Sequence, residues 1–281
     1  MTMAVQGLPG FPAVTLGTMA IAPGDTVSAI HRAIALGYRS FDTAPIYGNE
    51  PEVGEAIRSA PVDRADLFVT TKLWNSCHGY DEALGAFDRT MARIGLDVLD
   101  LYLIHWPVPT QDRYVETWKA MVRLQEEGRV RAIGVSNFLP EHLERIIAAT
   151  GVVPAVNQIE LHPSFQQDGA RAYHRGQGIV TQAWSPLGHG GDLAHARIAG
   201  IAQAHGRSPA QIILRWLLQM GVTPVVKASS IAHMAQNLAV RDFVLSDAEM
   251  QILSDVDRNE SCFGIDPRTF VAPEGMADYC P

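Results

Sequence analysis

Short apolar runs rich in β-branched and aromatic residues alternate with longer amphipathic stretches along the chain. Leu99–Ile104 is the clearest run, the kind of strand that a parallel sheet buries on both faces. His105, Trp106 and Pro107 follow it, and the proline stops the strand. The plan recurs. Arg39–Phe41 leads into Asp42, Leu67–Thr71 into Lys72, and Ala132–Val135 into Ser136 and Asn137. Ala155–Val156 leads into Asn157, Gln158 and Glu160, Ile179–Ala183 into Trp184 and Ser185, and Thr223–Val226 into Lys227. Each run delivers polar or ionisable side chains to its own C-terminal tip.

Between the runs the spacing turns helical. Val27, Ile30, Ala33 and Ile34 share one face, with Gly37 as the stop. Leu84, Phe87, Met91 and Ile94 form a second stripe. Tyr114–Glu127 turns Trp118 and Val122 inward and ends at Gly128, and Pro140 opens another helix. Further helices are predicted over Glu50–Ala60, Asp168–Arg175, Leu193–His205, Ser208–Leu218, from Ser229 or Ser230 to Leu238, and over Ser246–Val256. A first strand at Val14–Leu16 completes the alternation. The pattern predicts an α/β protein, a single (β/α)8 TIM barrel over residues 1–281 with its active site at the C-terminal ends of the strands. Residues 1–15 are expected to form a short hairpin plugging the barrel floor. Residues 258–281 read as a loop over the mouth, with Phe263, Phe270 and Tyr279 as contacts.

Length and charge narrow the function. The 281 residues match one barrel and leave no need for a second domain. A net charge of -8 without a basic stripe argues against nucleic acid and against anionic membrane surfaces. No apolar run is long enough to span a bilayer, and the N-terminal residues lack a basic and then apolar leader. Cys77, Cys262 and Cys280 form an odd set without CxxC spacing, so free thiols and a cytoplasmic setting are expected.

The strand tips carry the chemistry. Asp42, Tyr47, Lys72 and His105 each have an ordinary reading: a turn residue, a surface tyrosine, a solvated strand end, a structural histidine. Gathered at the tips of strands two, three and four they point to proton transfer. A buried ammonium stabilises a neighbouring phenolate and lowers its pKa, and Asp42 would keep that ammonium charged. His105 would orient a carbonyl oxygen. Ser136, Asn137 and Gln158 are neutral hydrogen-bonding groups suited to an uncharged amide, although capping and a satisfied buried amide are their ordinary readings. Trp184 offers a flat face to a planar ring, or is a core aromatic. Ser185, Pro186, Leu187, Gly188 and Gly190 make a glycine-rich loop after strand seven, and Lys227 ends strand eight. Those are the positions where TIM barrels bind phosphate. No GxGxxG follows the first strand, so a dinucleotide would not bind in the Rossmann manner. The ten histidines show no HExxH or Cys/His ligand spacing, so no metal is expected.

The segments GYRSFDTAPIYGNE, FVTTKLW, DLYLIHWP, IGVSNF, PAVNQIELHP and WSPLG resemble the aldo-keto reductase family, in order from Leu16 to about Asp257. Within it they look most like the bacterial 2,5-diketo-D-gluconate reductase branch. The resemblance implies an NADPH-dependent carbonyl reductase, with Tyr47 as proton donor, Lys72 and Asp42 as its tuners and His105 as carbonyl orienter. Ser136, Asn137 and Gln158 would hold the carboxamide and Trp184 would stack on the nicotinamide. Thr18, Ser185, Pro186, Leu187, Gly188 and Gly190 would contact the cofactor, and Lys227, Ser230, His233, Gln236 and Asn237 would surround the adenosine phosphate end. Met19, Trp74, Trp106 and the C-terminal loop would wall the substrate, a small carbonyl compound, in a protein expected to be monomeric. The family usually has Ser where Ala228 stands, Arg where His233 stands and Glu where Gln236 stands. Fewer fixed charges there predict better tolerance of NADH. A Schiff-base lyase using Lys72 would need a lowered lysine pKa, and a non-catalytic, channel-associated subunit would carry partner-binding extensions.

Overall fold

The computed structural model describes residues 11–228 and 230–271. Eight parallel strands close into a barrel in chain order: β1 (Thr15–Gly17), β2 (Ser40–Asp42), β3 (Phe68–Leu73), β4 (Leu99–Ile104), β5 (Val130–Ser136), β6 (Val156–Glu160), β7 (Val180–Trp184) and β8 (Thr223–Val226). The helices α1 (Pro23–Leu36), α2 (Glu50–Arg58), α3 (Tyr80–Ile94), α4 (Tyr114–Glu126), α5 (Pro140–Thr150), α6 (Asp168–Gln177), α7 (Ala196–His205), α8 (Pro209–Gln219), α9 (Ile231–Leu238) and α10 (Asp247–Ser254) connect or follow them. The expected (β/α)8 barrel is therefore the observed fold.

Local sequence explains the element ends. Pro23 and Pro140 open α1 and α5, where a missing N–H costs nothing. Ser208 and Ser246 cap α8 and α10 in reciprocal boxes with Gln211 and Glu249. Gly37, Gly95, Gly151 and Gly206 close their helices in the left-handed region. Five strands extend further than their apolar runs suggest. β2 includes Asp42, β3 runs through Lys72 to Leu73, β5 includes Ser136, β6 includes Gln158 and Glu160, and β7 includes Trp184. The polar tips belong to the hydrogen-bonded ladder itself. The segment expected to begin a helix at Leu193 is instead a 3-10 stretch, Gly188–Ala194, before α7.

The barrel separates two cores. One large apolar cluster fills the layer between sheet and helices. A small one, Phe11 with Leu101, Leu103, Ala132 and Val156, closes the lumen from below. Phe11 meets Phe68 edge to face at 5.3 Å. It supplies the floor; the hairpin itself falls largely outside the described residues. Gly134 on β5 has no room for a side chain, since a Cβ would sit 2.6 Å from the Val156 carbonyl oxygen. Cys262 is free and exposed, but Cys77 is disulfide-bonded, which corrects the expectation of three free thiols. Among the described residues no helix is long and apolar enough to cross a membrane.

Candidate active site

The upper lumen is polar. Asp42 at the tip of β2 and Lys72 on β3 form a buried ion pair, each almost without exposure. The Lys72 ammonium also donates to the Thr43 carbonyl at 3.1 Å and to the Tyr47 hydroxyl at 3.4 Å. Gln158 Nε2, from the far side of the barrel, donates to the second Asp42 oxygen at 2.8 Å and to Gln182 at 3.0 Å. Tyr47 closes a single 3-10 turn, Pro45–Tyr47, ended by Gly48 at φ 70°. Asn49 fixes that turn from below. It is buried, accepts from Thr43 at 3.0 Å and donates to the Thr18 carbonyl at 3.0 Å. His105 stands beside both aromatic walls, 6.3 Å from the Tyr47 ring and 5.3 Å from Trp74, edge to face in each case.

The electrostatics follow from this burial. Burial disfavours the Lys72 ammonium, but Asp42 and Tyr47 together outweigh it and hold the group above the ordinary lysine range. Burial raises the Tyr47 phenol, and Lys72 only partly opposes it. The expected net lowering is thus not what the structure gives: the phenol is kept protonated. Burial, with Lys72 adding to it, drives His105 well below the ordinary histidine range, so its ring is neutral. Its Nδ1 is buried without a partner. A charged Lys72 is also the wrong state for a Schiff-base nucleophile.

Ser136, Asn137 and Trp184 sit together on the same C-terminal rim, at the ends of β5 and β7. Asn137, at φ 63°, donates to the His105 carbonyl at 3.0 Å and to the Ser136 hydroxyl at 3.1 Å, and accepts from Trp184 Nε1 at 2.8 Å. The Ser136 hydroxyl donates to the Gln158 carbonyl at 2.8 Å. Donors here are used internally, while among the described residues no hydrogen bond occupies Gln158 Oε1 or the second lone pair of Asn137 Oδ1. The loop after β7 turns at Ser185, φ 47°, and at Gly188, φ 58°. Pro186 is buried, Leu187 half-buried and Gly190 exposed. Lys227 is exposed, Ser230 caps α9 through the His233 amide at 3.1 Å, and His233 and Gln236 face solvent. Asn237 is buried in the packing of α9 and hydrogen-bonds the Tyr38 phenol. Thr18 is buried and donates to the Asp42 carbonyl at 3.1 Å, whereas Met19 is 50% exposed.

The C-terminal loop covers the mouth as far as Val271. Phe270 stacks on Trp106 at 4.2 Å and Phe263 lies 5.4 Å from Trp184. Tyr279 lies outside the described residues. Under this loop is a cleft of about 290 Å³, lined by Trp106, Asn137, Ile159, Phe165, Trp184 and Arg268 among others. Tyr47 and Lys72 are not in its lining; Asn137, which is, donates to the His105 carbonyl.

Two groups were not singled out by sequence pattern. Asn49 sits in YGNE, where only its burial distinguishes it from a turn residue. The second is a buried cluster at the tip of β6. His162 Nδ1 pairs with Asp192 at 2.8 Å and Nε2 with Glu160 at 3.1 Å. ELHP gave the first two members, but Asp192 is thirty positions away in the chain. Glu160, His162 and Cys262 bring three potential metal-ligand atoms within 4.8 Å. The two carboxylates raise His162 to about 9, and a protonated imidazole opposes metal ligation.

A closed eight-stranded parallel barrel that gathers Asp42, Lys72 and Tyr47 at its C-terminal rim places the chain in the TIM-barrel class. The aldo/keto reductase family model matches residues 13–258, and the chain belongs to that family as an oxidoreductase. It is 50% identical over 270 residues to the morphine 6-dehydrogenase of Pseudomonas putida, covering 92% of this chain and 91% of that protein. It is 42% identical over 261 residues to the methylglyoxal reductase DkgA of Salmonella typhimurium, covering 92% and 94%. A solved structure of a variant of the protein Gox0644 in complex with NADPH superposes with a TM-score of 0.89 at 47% identity, covering 93% of this chain and 95% of that one. These relatives bear different substrate names, and they leave the diketogluconate branch unselected.

Proposed function

We propose that the protein is an NADPH-dependent reductase of small aldehydes, ketones and dicarbonyls, with Tyr47 as the proton donor. The observation that carries this reading is the Lys72 ammonium, held between Asp42 and the Tyr47 hydroxyl. NADPH supplies a hydride to the carbonyl carbon when bound. The residues present fit it: Trp184 is a half-exposed ring beside amide acceptors, and Lys227 is an exposed cation at the phosphate end. The open acceptors Gln158 Oε1 and Asn137 Oδ1 suit the NH2 of a carboxamide.

Burial keeps Tyr47 in its acid form, ready to give a proton to the carbonyl oxygen. The phenolate left behind lies 3.4 Å from the Lys72 ammonium, in a site of low polarity where that attraction is strong. Asp42, braced by Gln158, keeps the ammonium charged through the cycle. A buried N–H is rarely orphaned, so the bare Nδ1 of His105 is read as a lone pair and Nε2 carries the hydrogen. That Nε2–H donates to the carbonyl oxygen and orients it towards Tyr47. Trp74 and Trp106 shield the site from water.

Tyr47→Phe removes only the donated proton. It is expected to lower kcat by roughly 10²–10⁴ while the NADPH dissociation constant, read by quenching of tryptophan fluorescence, changes little. A variant with wild-type kcat would remove Tyr47 from this role.

A further inference from the structure

We propose that His162 is a positioning residue, a charged clasp that fastens both the glycine-rich loop after β7 and the C-terminal loop to the tip of β6 and so retains the cofactor. The inference rests on the NADPH reductase reading above, because that reading seats the cofactor beneath these two loops.

The geometry is that of one imidazolium between two carboxylates, with a loop hanging from each. On one side His162 Nδ1 donates to Asp192 Oδ2 at 2.8 Å, and the Ser164 hydroxyl donates to Asp192 Oδ1 at 2.6 Å. Asp192 belongs to the 3-10 segment Gly188–Ala194, so these bonds pull that segment onto β6. The segment is built to fit: Gly188 has φ 58°, and a Cβ there would lie 2.4 Å from Asp192 Oδ2 and 3.2 Å from His162 Nδ1. On the other side Nε2 meets Glu160 Oε1 at 3.1 Å. Glu160 in turn accepts from the Ser261 hydroxyl and from the Cys262 amide, each at 2.7 Å. The Ser164 carbonyl accepts from the Arg258 and Glu260 amides at 3.1 and 3.2 Å. The two loops then touch each other through His189 and Phe263, 5.4 Å apart and edge to face, and Phe263 reaches Trp184.

Both carboxylates need a donor from the same ring. A neutral imidazole has one N–H, so losing the proton leaves one carboxylate facing a lone pair, and one loop loses its anchor. The groups facing His162 are Glu160 from β6, Asp192 from the segment after β7, and Ser164 and Phe165 beside it, with the Cys262 thiol against Glu160. Burial, with Glu160 adding to it, pushes that thiol up to about 12, so it stays uncharged. Two anions and no second cation surround the ring among the described residues, and they hold it protonated up to about pH 9. The clasp is closed at neutral pH and opens above that value.

The test compares wild type with His162→Gln and with Glu160→Gln, which keeps the shape of the clasp but removes one charge. Two readouts are taken from pH 7 to pH 10. The first is limited trypsin cleavage of cofactor-free protein at Arg258 and Arg268, both well exposed, scaled to cleavage at Arg241 in a separate exposed turn. The second is the rate of NADPH dissociation followed by tryptophan fluorescence. At pH 7 both variants should be cut in the C-terminal loop about tenfold faster than wild type and should release NADPH about tenfold faster. Wild type should approach the variants as pH passes about 9, while His162→Gln stays flat. Cleavage and release that are the same in all three proteins and flat with pH would overturn the clasp. Wild-type protein that binds no NADPH would instead overturn the reductase reading, and the retention claim with it. Should His162→Gln not fold, the wild-type pH profile and Glu160→Gln decide the matter.

Discussion

Two buried cations stand at the same rim of the barrel, and their surroundings give them opposite uses. Lys72 and His162 are each about 1% exposed and each is paired with carboxylates. Around His162 every partner is already committed: Asp192 to Ser164, Glu160 to Ser261 and to Cys262. Nothing is left to react, so the cluster works as a joint. Around Lys72 one partner is not committed. The Tyr47 hydroxyl has the ammonium on one side and no other described hydrogen bond, and its ring is half-buried. The lesson is that a perturbed cluster becomes chemistry where one member still has a bond to make, and architecture where none has.

The largest effect should come from the reactive side. Lys72→Met leaves Asp42 buried without its counter-charge and leaves a phenolate at Tyr47 unsupported. Breaking a buried pair by removing one partner costs about 3–5 kcal/mol of stability, and the lost electrostatic support costs about 10²–10³ in kcat. Thermal melting and kcat per folded protein measure the two separately. A variant that is destabilised but keeps wild-type kcat would make Lys72 as architectural as His162.

The joint should show itself in pH dependence instead. His162 is raised in the folded protein to about 9 from the ordinary 6.5. Its contribution to stability is therefore complete below about pH 6.5 and is lost as pH rises through about 9. The melting temperature of wild type should fall over that window, and that of His162→Gln should fall less. Parallel curves would mean that the ring is not the titrating group.

The sequence carried the fold well for a physical reason. Alternating apolar runs and amphipathic stretches are the burial pattern of a parallel barrel, and such a pattern is local. It carried the strand ends less well. The predicted runs stop short of Lys72, Ser136 and Gln158, but these residues lie inside their strands because the upper lumen supplies them with partners. Asp42, Tyr47, Lys72 and His105 were legible as a group because all four lie at or just beyond the C-terminal ends of β2, β3 and β4. The state of Tyr47 was not, because burial and Lys72 oppose one another and only the coordinates show which prevails. The His162 joint was half legible: Glu160 and His162 share ELHP, but Asp192 and Ser261 reach them from remote loops. Asn237 illustrates the converse, since its place in α9 faces the packing against Tyr38.

The smallest effect belongs to the solvent-exposed end. Lys227 is exposed and takes part in no ion pair found among the described residues, and Ser230 spends its hydroxyl on the cap of α9. Gln236 brings no charge. A single exposed ammonium on a 2′-phosphate is weakened by solvent and salt, so it supports roughly 1 kcal/mol, about fivefold in affinity. Lys227→Ala should weaken NADPH by about that factor, leave NADH unchanged, and remove most of the salt dependence of NADPH binding, all read by fluorescence titration. Equal weakening of both cofactors would take Lys227 away from the phosphate. A loss of a hundredfold or more for NADPH alone would mean that the phosphate end is as enclosed as the Lys72 site, and the contrast between a buried rim and an open end would no longer hold.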